Sequence, residues 1–362
     1  YAKEGRKGYE RETIGWLVTS LYRSRQHALF SSEEAEGFED LKSELEADSY
    51  KVPSTTRLEH WENYLSSLDI SSIQAGDTVL NSLDYKRIVR DFDGNTYHIL
   101  HESTSTSDGD YTYGSGIFIL NPNPQIDNSF IHVNHPHNDS RTIFVGAKLF
   151  REMGAEWLFI AGAHRYAAVD NSNYSSSSEC ETQCDECSAD MARTTCSVFQ
   201  TFHENMSNNP LSRSISIHGF KTDDKPYSIA TILSNGVDST YTSANKILIP
   251  PTNFTYRLEE ELLGLNIWNN SNLASRYNYY SVIAYEVINT FPTILAASDN
   301  PQGEWTNSSE GTGDWVHLEI DYCLRKPDSC FGISDDSIIC LFCLTHYNYD
   351  LGILSISFNC KI

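Results

Sequence analysis

The chain has 362 residues, enough to bury a full hydrophobic core as one large α/β domain or two smaller ones. Its 26 Lys and Arg residues face 49 Asp and Glu, a formal net charge of −23, and a field of that sign repels phosphate backbones and anionic membrane surfaces. Nucleic acid is therefore excluded as a natural partner, and no run approaches the roughly 18 apolar residues that span a bilayer.

Residues 9–30 and 33–47 carry helical periodicity, with Trp16, Leu17, Leu21 and Tyr22 on one stripe and Phe38, Leu41 and Leu45 on the next. A third amphipathic stretch runs from Leu58 through Trp61 to Leu65. No catalytic pattern falls in this part, so residues 1–77 read as a helical N-terminal arm or cap and as the element through which the chain would self-associate.

From about residue 78 the pattern changes to short β-type runs, Tyr85–Arg90, Thr96–Leu100 and Gly116–Leu120, separated by Asp-Gly, Gly-Asp and Asn-Pro turn signals. Strand and helix then alternate: Phe130–Val133, helix Thr142–Met153, Trp157–Ala161, helix Cys196–Met206 and Ser214–Ile217. Tyr280–Ile288, Trp315–Ile320 and Ser337–Leu344 are apolar enough to complete the sheet. This alternation predicts an α/β domain over 78–362, a mixed, largely parallel sheet flanked by helices, with the N-terminal helical appendage beside it. A Ser/Cys-rich insert at 170–189 is too polar for core and reads as an exposed loop.

Nine cysteines fall in two groups, Cys180, Cys184, Cys187 and Cys196, then Cys323, Cys330, Cys340, Cys343 and Cys360. Such clustering reads as local disulfide staples of unassigned pairing, made in an oxidising compartment, with one thiol left over. Cys184-x-x-Cys187 also has zinc-ligand spacing, which Cys180 and Cys196 would complete, but the Asn- and Ser-rich surroundings favour the extracellular reading. Six Asn-x-Ser/Thr sequons begin at Asn138, Asn173, Asn205, Asn253, Asn269 and Asn307, acceptors for N-linked glycans in a secreted protein.

Histidine carries the chemical signal. Of twelve, six lie between positions 132 and 218: His132, His135, His137, His164, His203 and His218. Most sit where a strand ends, as in Ile131-His132-Val133-Asn134-His135, Ala163-His164-Arg165 and Ile217-His218-Gly219, while His317-Leu318-Glu319-Ile320 places a carboxylate in an apolar run. Amide hydrolysis uses such a set. Two imidazoles and a carboxylate hold Zn²⁺ with one position open, a second carboxylate takes the proton of the attacking water, and a cation holds the substrate carboxylate or developing oxyanion. His135, Asp139 and His218 fill the ligand roles, with His137 and His132 in reserve, Glu319 is the base, and Arg165 or Arg325 the clamp. His203, on a helix, reads as a surface residue, and Asp190 and Arg193 as a capping pair at that helix's start.

The order strand-His, strand-Gly-Ala-His-Arg, strand-His-Gly and strand-His-Leu-Glu-Ile resembles the N-formylglutamate amidohydrolase-like proteins and their zinc-exopeptidase relatives, carboxypeptidases and muramoyl-alanine amidases among them. The resemblance covers roughly Phe130 to Arg325. It implies a mixed sheet flanked by helices, His135 and Asp139 as the first ligand pair, His218 as the second histidine, Glu319 as general base and Arg325 as a substrate-side arginine. One departure is plain: that family spaces its first pair as His-x-x-Glu, whereas here Asn138 occupies that place and the carboxylate follows one residue later. The expectation is a secreted, zinc-dependent amidohydrolase or exopeptidase acting on a peptide, an N-acyl amino acid or a cell-wall fragment. The competing expectation is a non-catalytic extracellular glycoprotein, a fibre or surface-layer subunit that reuses a hydrolase fold.

Overall fold

A computed structural model describes residues 49–68, 70–92, 94–103, 113–136, 138–170, 188–221, 228–236, 254–263, 271–277, 282–283, 297, 300–308 and 314–325. The helices expected at 9–30 and 33–47, the strand expected at Ser337–Leu344 and most of the Ser/Cys-rich insert lie outside these residues. The fold is α/β, a mixed sheet with helices around it, as the alternation predicted. The chain divides into two compact units.

The first unit comprises residues 1–123, 134–138 and 157–205. Strands β2 (Tyr85–Phe92), β3 (Asn95–Glu102), β4 (Ile117–Leu120) and β6 (Ala155–Ile160) pair antiparallel in the order β6-β4-β3-β2, and β1 (Ser49–Lys51) pairs parallel with β7 (Ala168–Asp170). Helix α1 (Thr55–Ser66) begins at Ser54, whose side chain accepts the Arg57 N–H, and it buries Trp61, Tyr64 and Leu65, one stripe at helical spacing. Trp61 is fully buried and meets Tyr85 edge-on at 4.8 Å between ring centroids and Phe202 at 5.3 Å. Phe118 stacks on Phe202 at 3.7 Å. Much of this aromatic core comes from the β4 run and from α4 (Val198–Met206), so the described end of the expected N-terminal arm is built into the unit's centre.

The second unit comprises residues 124–133, 139–156 and 206–362. Its strands run in the order β10-β9-β11-β8-β5, with β5 (Ile126–Val133), β8 (Arg213–Phe220), β9 (Thr231–Ser234), β10 (Val282–Ile283) and β11 (Asp314–Asp321). The pairs β5–β8, β8–β11 and β9–β10 are parallel and β9–β11 is antiparallel. Helix α3 (Thr142–Met153), the next after α2 (Asp77–Ser82), has the predicted bounds, ends on Gly154 in the left-handed region (φ 58°) and packs on β5 and β8.

The expectation of a largely parallel sheet fails in the first unit for a local reason. Only two residues separate β2 from β3 in the chain, Gly94 sits at φ 81°, and so short a connection joins only antiparallel neighbours. Two further expectations are corrected by burial. His203 is fully buried in α4, not on the surface, because it falls on the apolar side of a helix enclosed by core. That helix is capped by Ser197, whose Oγ accepts the Gln200 N–H, so Asp190 does not cap it.

Candidate metal centre

In the second unit, β8 and β11 run parallel in a register that pairs Ser216 with His317 and His218 with Glu319. Side chains alternate along a strand, so all four share one face while Ile217, Leu318 and Ile320 occupy the other. The apolar face forms core: Ile217 and Ile320 are fully buried and Leu318 is 1% exposed. The polar face is also dry, with His218 and His317 each at 4% and Glu319 at 6%. Glu319 thus stands in a buried site, as its apolar neighbours suggested.

His218 is held from two sides. Its Nε2 lies 3.2 Å from Ser216 Oγ, and its Nδ1 lies 3.7 Å from Asp139 Oδ2. Asp139 is fixed in turn by the Gly219 N–H, which donates to Oδ2 at 3.0 Å. Arg141, two residues beyond it, sits at φ 65°, a left-handed conformation that costs a non-glycine residue about 1–3 kcal/mol. The chain carries this strain at the turn that delivers Asp139 to β8.

His317 Nε2 lies 3.1 Å from Glu319 Oε1, and its ring lies 4.4 Å from that of His218 and 5.9 Å from Trp315. Glu319 Oε2 and His317 Nδ1 are buried with no hydrogen-bond partner among the described residues. A buried acceptor left in that condition costs about 1–3 kcal/mol, which favours a ligand that supplies a donor.

Arg325, in α8 (Tyr322–Arg325), is buried at 4% exposure and donates through Nε to Ile320 O, through Nη1 to Ser140 O and through Nη2 to Phe220 O. Burial pulls its guanidinium below the ordinary value, against Asp139, Glu319 and Asp321, which hold it charged. A Cβ on Gly219 would collide with this guanidinium, which would have to shift to make room. Arg325 ties together the ends of β8 and β11 and the turn after Asp139. That engagement differs from the free substrate clamp the resemblance implied.

In the first unit, His135 Nε2 lies 2.7 Å from Asp190 Oδ1, and Arg165 Nη2 lies 2.6 Å from Asp190 Oδ2. Burial by itself would raise the Asp190 carboxyl, but the His135 imidazole and the Arg165 guanidinium outweigh it and hold the group at about 2. Arg165 keeps 21% of its side chain exposed. Asp190, read from sequence as a helix cap, is instead the carboxylate that fixes the His135 ring. A carboxylate hydrogen-bonded to a ring nitrogen orients a histidine, as second carboxylates do behind metal-ligating imidazoles.

His135, Asp139 and His218 each offer one ligand atom, and these atoms all lie within 4.8 Å of one another. The group is buried and fits a metal ion: two imidazoles and one carboxylate, the first of them oriented by a second carboxylate. Imidazole and carboxylate donors together suit several divalent first-row ions. Of the reserve ligands, His132 is fully buried on β5, in register with Ser216, and is not a member of the group, while His137 lies outside the described residues.

The sequons are placed unevenly. Asn138 is half-buried between His135 and Asp139, Asn205 lies in α4 with its amide nitrogen donating to Thr201 O at 3.0 Å, and Asn307 is exposed at the end of α7 (Pro301–Asn307), which follows α5 (Phe254–Leu263) and α6 (Ser271–Arg276). Asn173, Asn253 and Asn269 lie outside the described residues. Of the cysteines, Cys196 and Cys323 are described and buried, and the other seven fall outside.

No protein-family model matches the chain, and no curated protein matches it.

Proposed function

We propose that the chain is a secreted, zinc-dependent hydrolase of an amide bond, acting on a peptide, an N-acyl amino acid or a cell-wall fragment. The observation that carries this reading is the buried His135–Asp139–His218 group together with Glu319, the register partner of His218 on the same sheet face. A zinc ion held there would supply Lewis-acid chemistry, polarising a carbonyl and acidifying water. Glu319 would then take the proton from the attacking water through Oε2 and return it to the leaving amine. Arg165, paired with Asp190 and 21% exposed, would receive a substrate carboxylate. Arg325 would act indirectly, by keeping the Asp139 turn against Gly219. Secretion is supported by the sequons and by the clustered cysteines of the sequence, which suit disulfide staples.

The test is metal content. Native protein equilibrated with zinc and then gel-filtered is measured by elemental mass spectrometry beside His218→Ala, and hydrolysis of a panel of N-acyl amino acids is followed with and without chelator. Zinc retained by the wild type and lost by the variant, with chelator-sensitive hydrolysis, supports the reading. A wild-type chain that takes up no zinc ends it.

One observation favours a second reading. Asn138 stands in a sequon between two members of the group, and a glycan there would crowd the centre, which suits a non-catalytic extracellular glycoprotein. Occupied Asn138 in metal-free protein that assembles into filaments under negative stain would support it.

A further inference from the structure

We infer that His317 is a positioning residue for Glu319, holding one carboxylate oxygen so that the other is presented to a donor at the centre; this deepens the hydrolase reading and rests on it. A glutamate has three side-chain torsions, and a useful base must occupy one of their combinations. His317 lies two residues before Glu319 on β11 and so on the same face. Its Nε2 meets Oε1 at 3.1 Å, while Oε2 is buried and has no partner among the described residues. A pair kept for stability alone would satisfy both oxygens, because each unmet acceptor in a dry site is costly. Here one is satisfied and one is held open.

The imidazole is itself held. It lies between the rings of His218, at 4.4 Å, and Trp315, at 5.9 Å, both tilted by less than 40° to it. Trp315 is seated against two glycines: a Cβ on Gly236 or Gly303 would come within 2.7 or 2.8 Å of its ring. A run of contacts therefore passes from Gly236 and Gly303 through Trp315 and His317 to the Glu319 carboxylate. With Nε2 engaged by Oε1, Nδ1 is a second buried position without a hydrogen-bond partner among the described residues, beside the first.

The experiment uses the full chain loaded with zinc and compares His317→Phe, which keeps an aromatic ring but loses the donor, with His317→Gln, which keeps a donor. The substrate is whichever N-acyl amino acid the wild type hydrolyses fastest. Zinc content should be unchanged in both variants. For His317→Phe, kcat should fall about 10- to 100-fold with KM within about twofold of wild type, and His317→Gln should recover most of that loss. The double variant H317F/E319Q should be no slower than E319Q, since a residue acting only through Glu319 has nothing left to position. Wild-type kcat in His317→Phe, an equal loss in both single variants, or additive losses in the double variant would overturn the inference. Failure of the hydrolase reading is seen separately, on the wild type: no zinc uptake or no hydrolysis removes the reaction and this role with it.

Discussion

His218 and Glu319 are register partners on the parallel strands β8 and β11, so an imidazole and a carboxylate stand side by side on one buried sheet face. The first prediction follows from that pairing. Glu319→Gln should keep the zinc content of the wild type and reduce hydrolysis at least about 100-fold, because the amide preserves shape but takes up no proton. Elemental mass spectrometry and steady-state kinetics on one preparation check both halves.

Asp190 should control metal affinity without touching the ion. Replacing it by Asn removes the charge on His135 Nε2, and zinc affinity should fall about 10- to 100-fold, read by competition with a chromophoric chelator. Unchanged affinity would mean that His135 is oriented by other contacts.

The same carboxylate makes a pH prediction. Its pKa is depressed in the folded protein, to about 2 from an ordinary 3.8, so the charged form is the stabilising one. The contribution, about 2 kcal/mol, is present in full above pH 4 and is lost as pH falls through the folded value. Urea unfolding of metal-free protein between pH 5 and pH 2, at about half-unit steps, should show this loss in the wild type and its absence in Asp190→Asn.

Gly219→Ala should damage the centre through Arg325. The added methyl occupies the space of the guanidinium that joins Ile320, Phe220 and Ser140, and overpacking of that kind costs about 1–3 kcal/mol. Zinc affinity should fall together with stability, since the Gly219 N–H also holds Asp139. Thermal unfolding and zinc titration of the same variant test the coupling.

Trp61→Ala should cost about 3–5 kcal/mol, the usual loss for a large aromatic residue removed from a core. Trp61 is fully buried against Tyr85, Phe118 and Phe202. A loss under 1 kcal/mol by chemical denaturation would show that α1 is detachable from the first unit after all.

Local periodicity was enough to place α3 within its observed bounds and to put His218 and Glu319 on β-strands, because helical and extended segments impose different spacings on apolar residues. The His135–Asp139–His218 group was also legible as residue types near strand ends, where the C-terminal edges of α/β sheets gather ligands. The direction of the first unit's strands was half legible: the Asp-Gly signal between Tyr85–Arg90 and Thr96–Leu100 marks a tight connection, and a tight connection joins antiparallel neighbours.

Local spacing along the chain settles which side of its own element each residue faces: Glu319 opposite Leu318 and Ile320, and Trp61 on the stripe with Tyr64 and Leu65. Long-range packing settles who stands across from whom. Asp190 reaches His135 over 55 positions of chain, Arg325 reaches Ser140 over 185, and His203 is sealed inside a core that its own helix does not reveal. The reason is that periodicity is written by neighbours in the chain, whereas partnership depends on strand order and register, and a register shifted by one residue would have sent His218 and Glu319 to opposite faces.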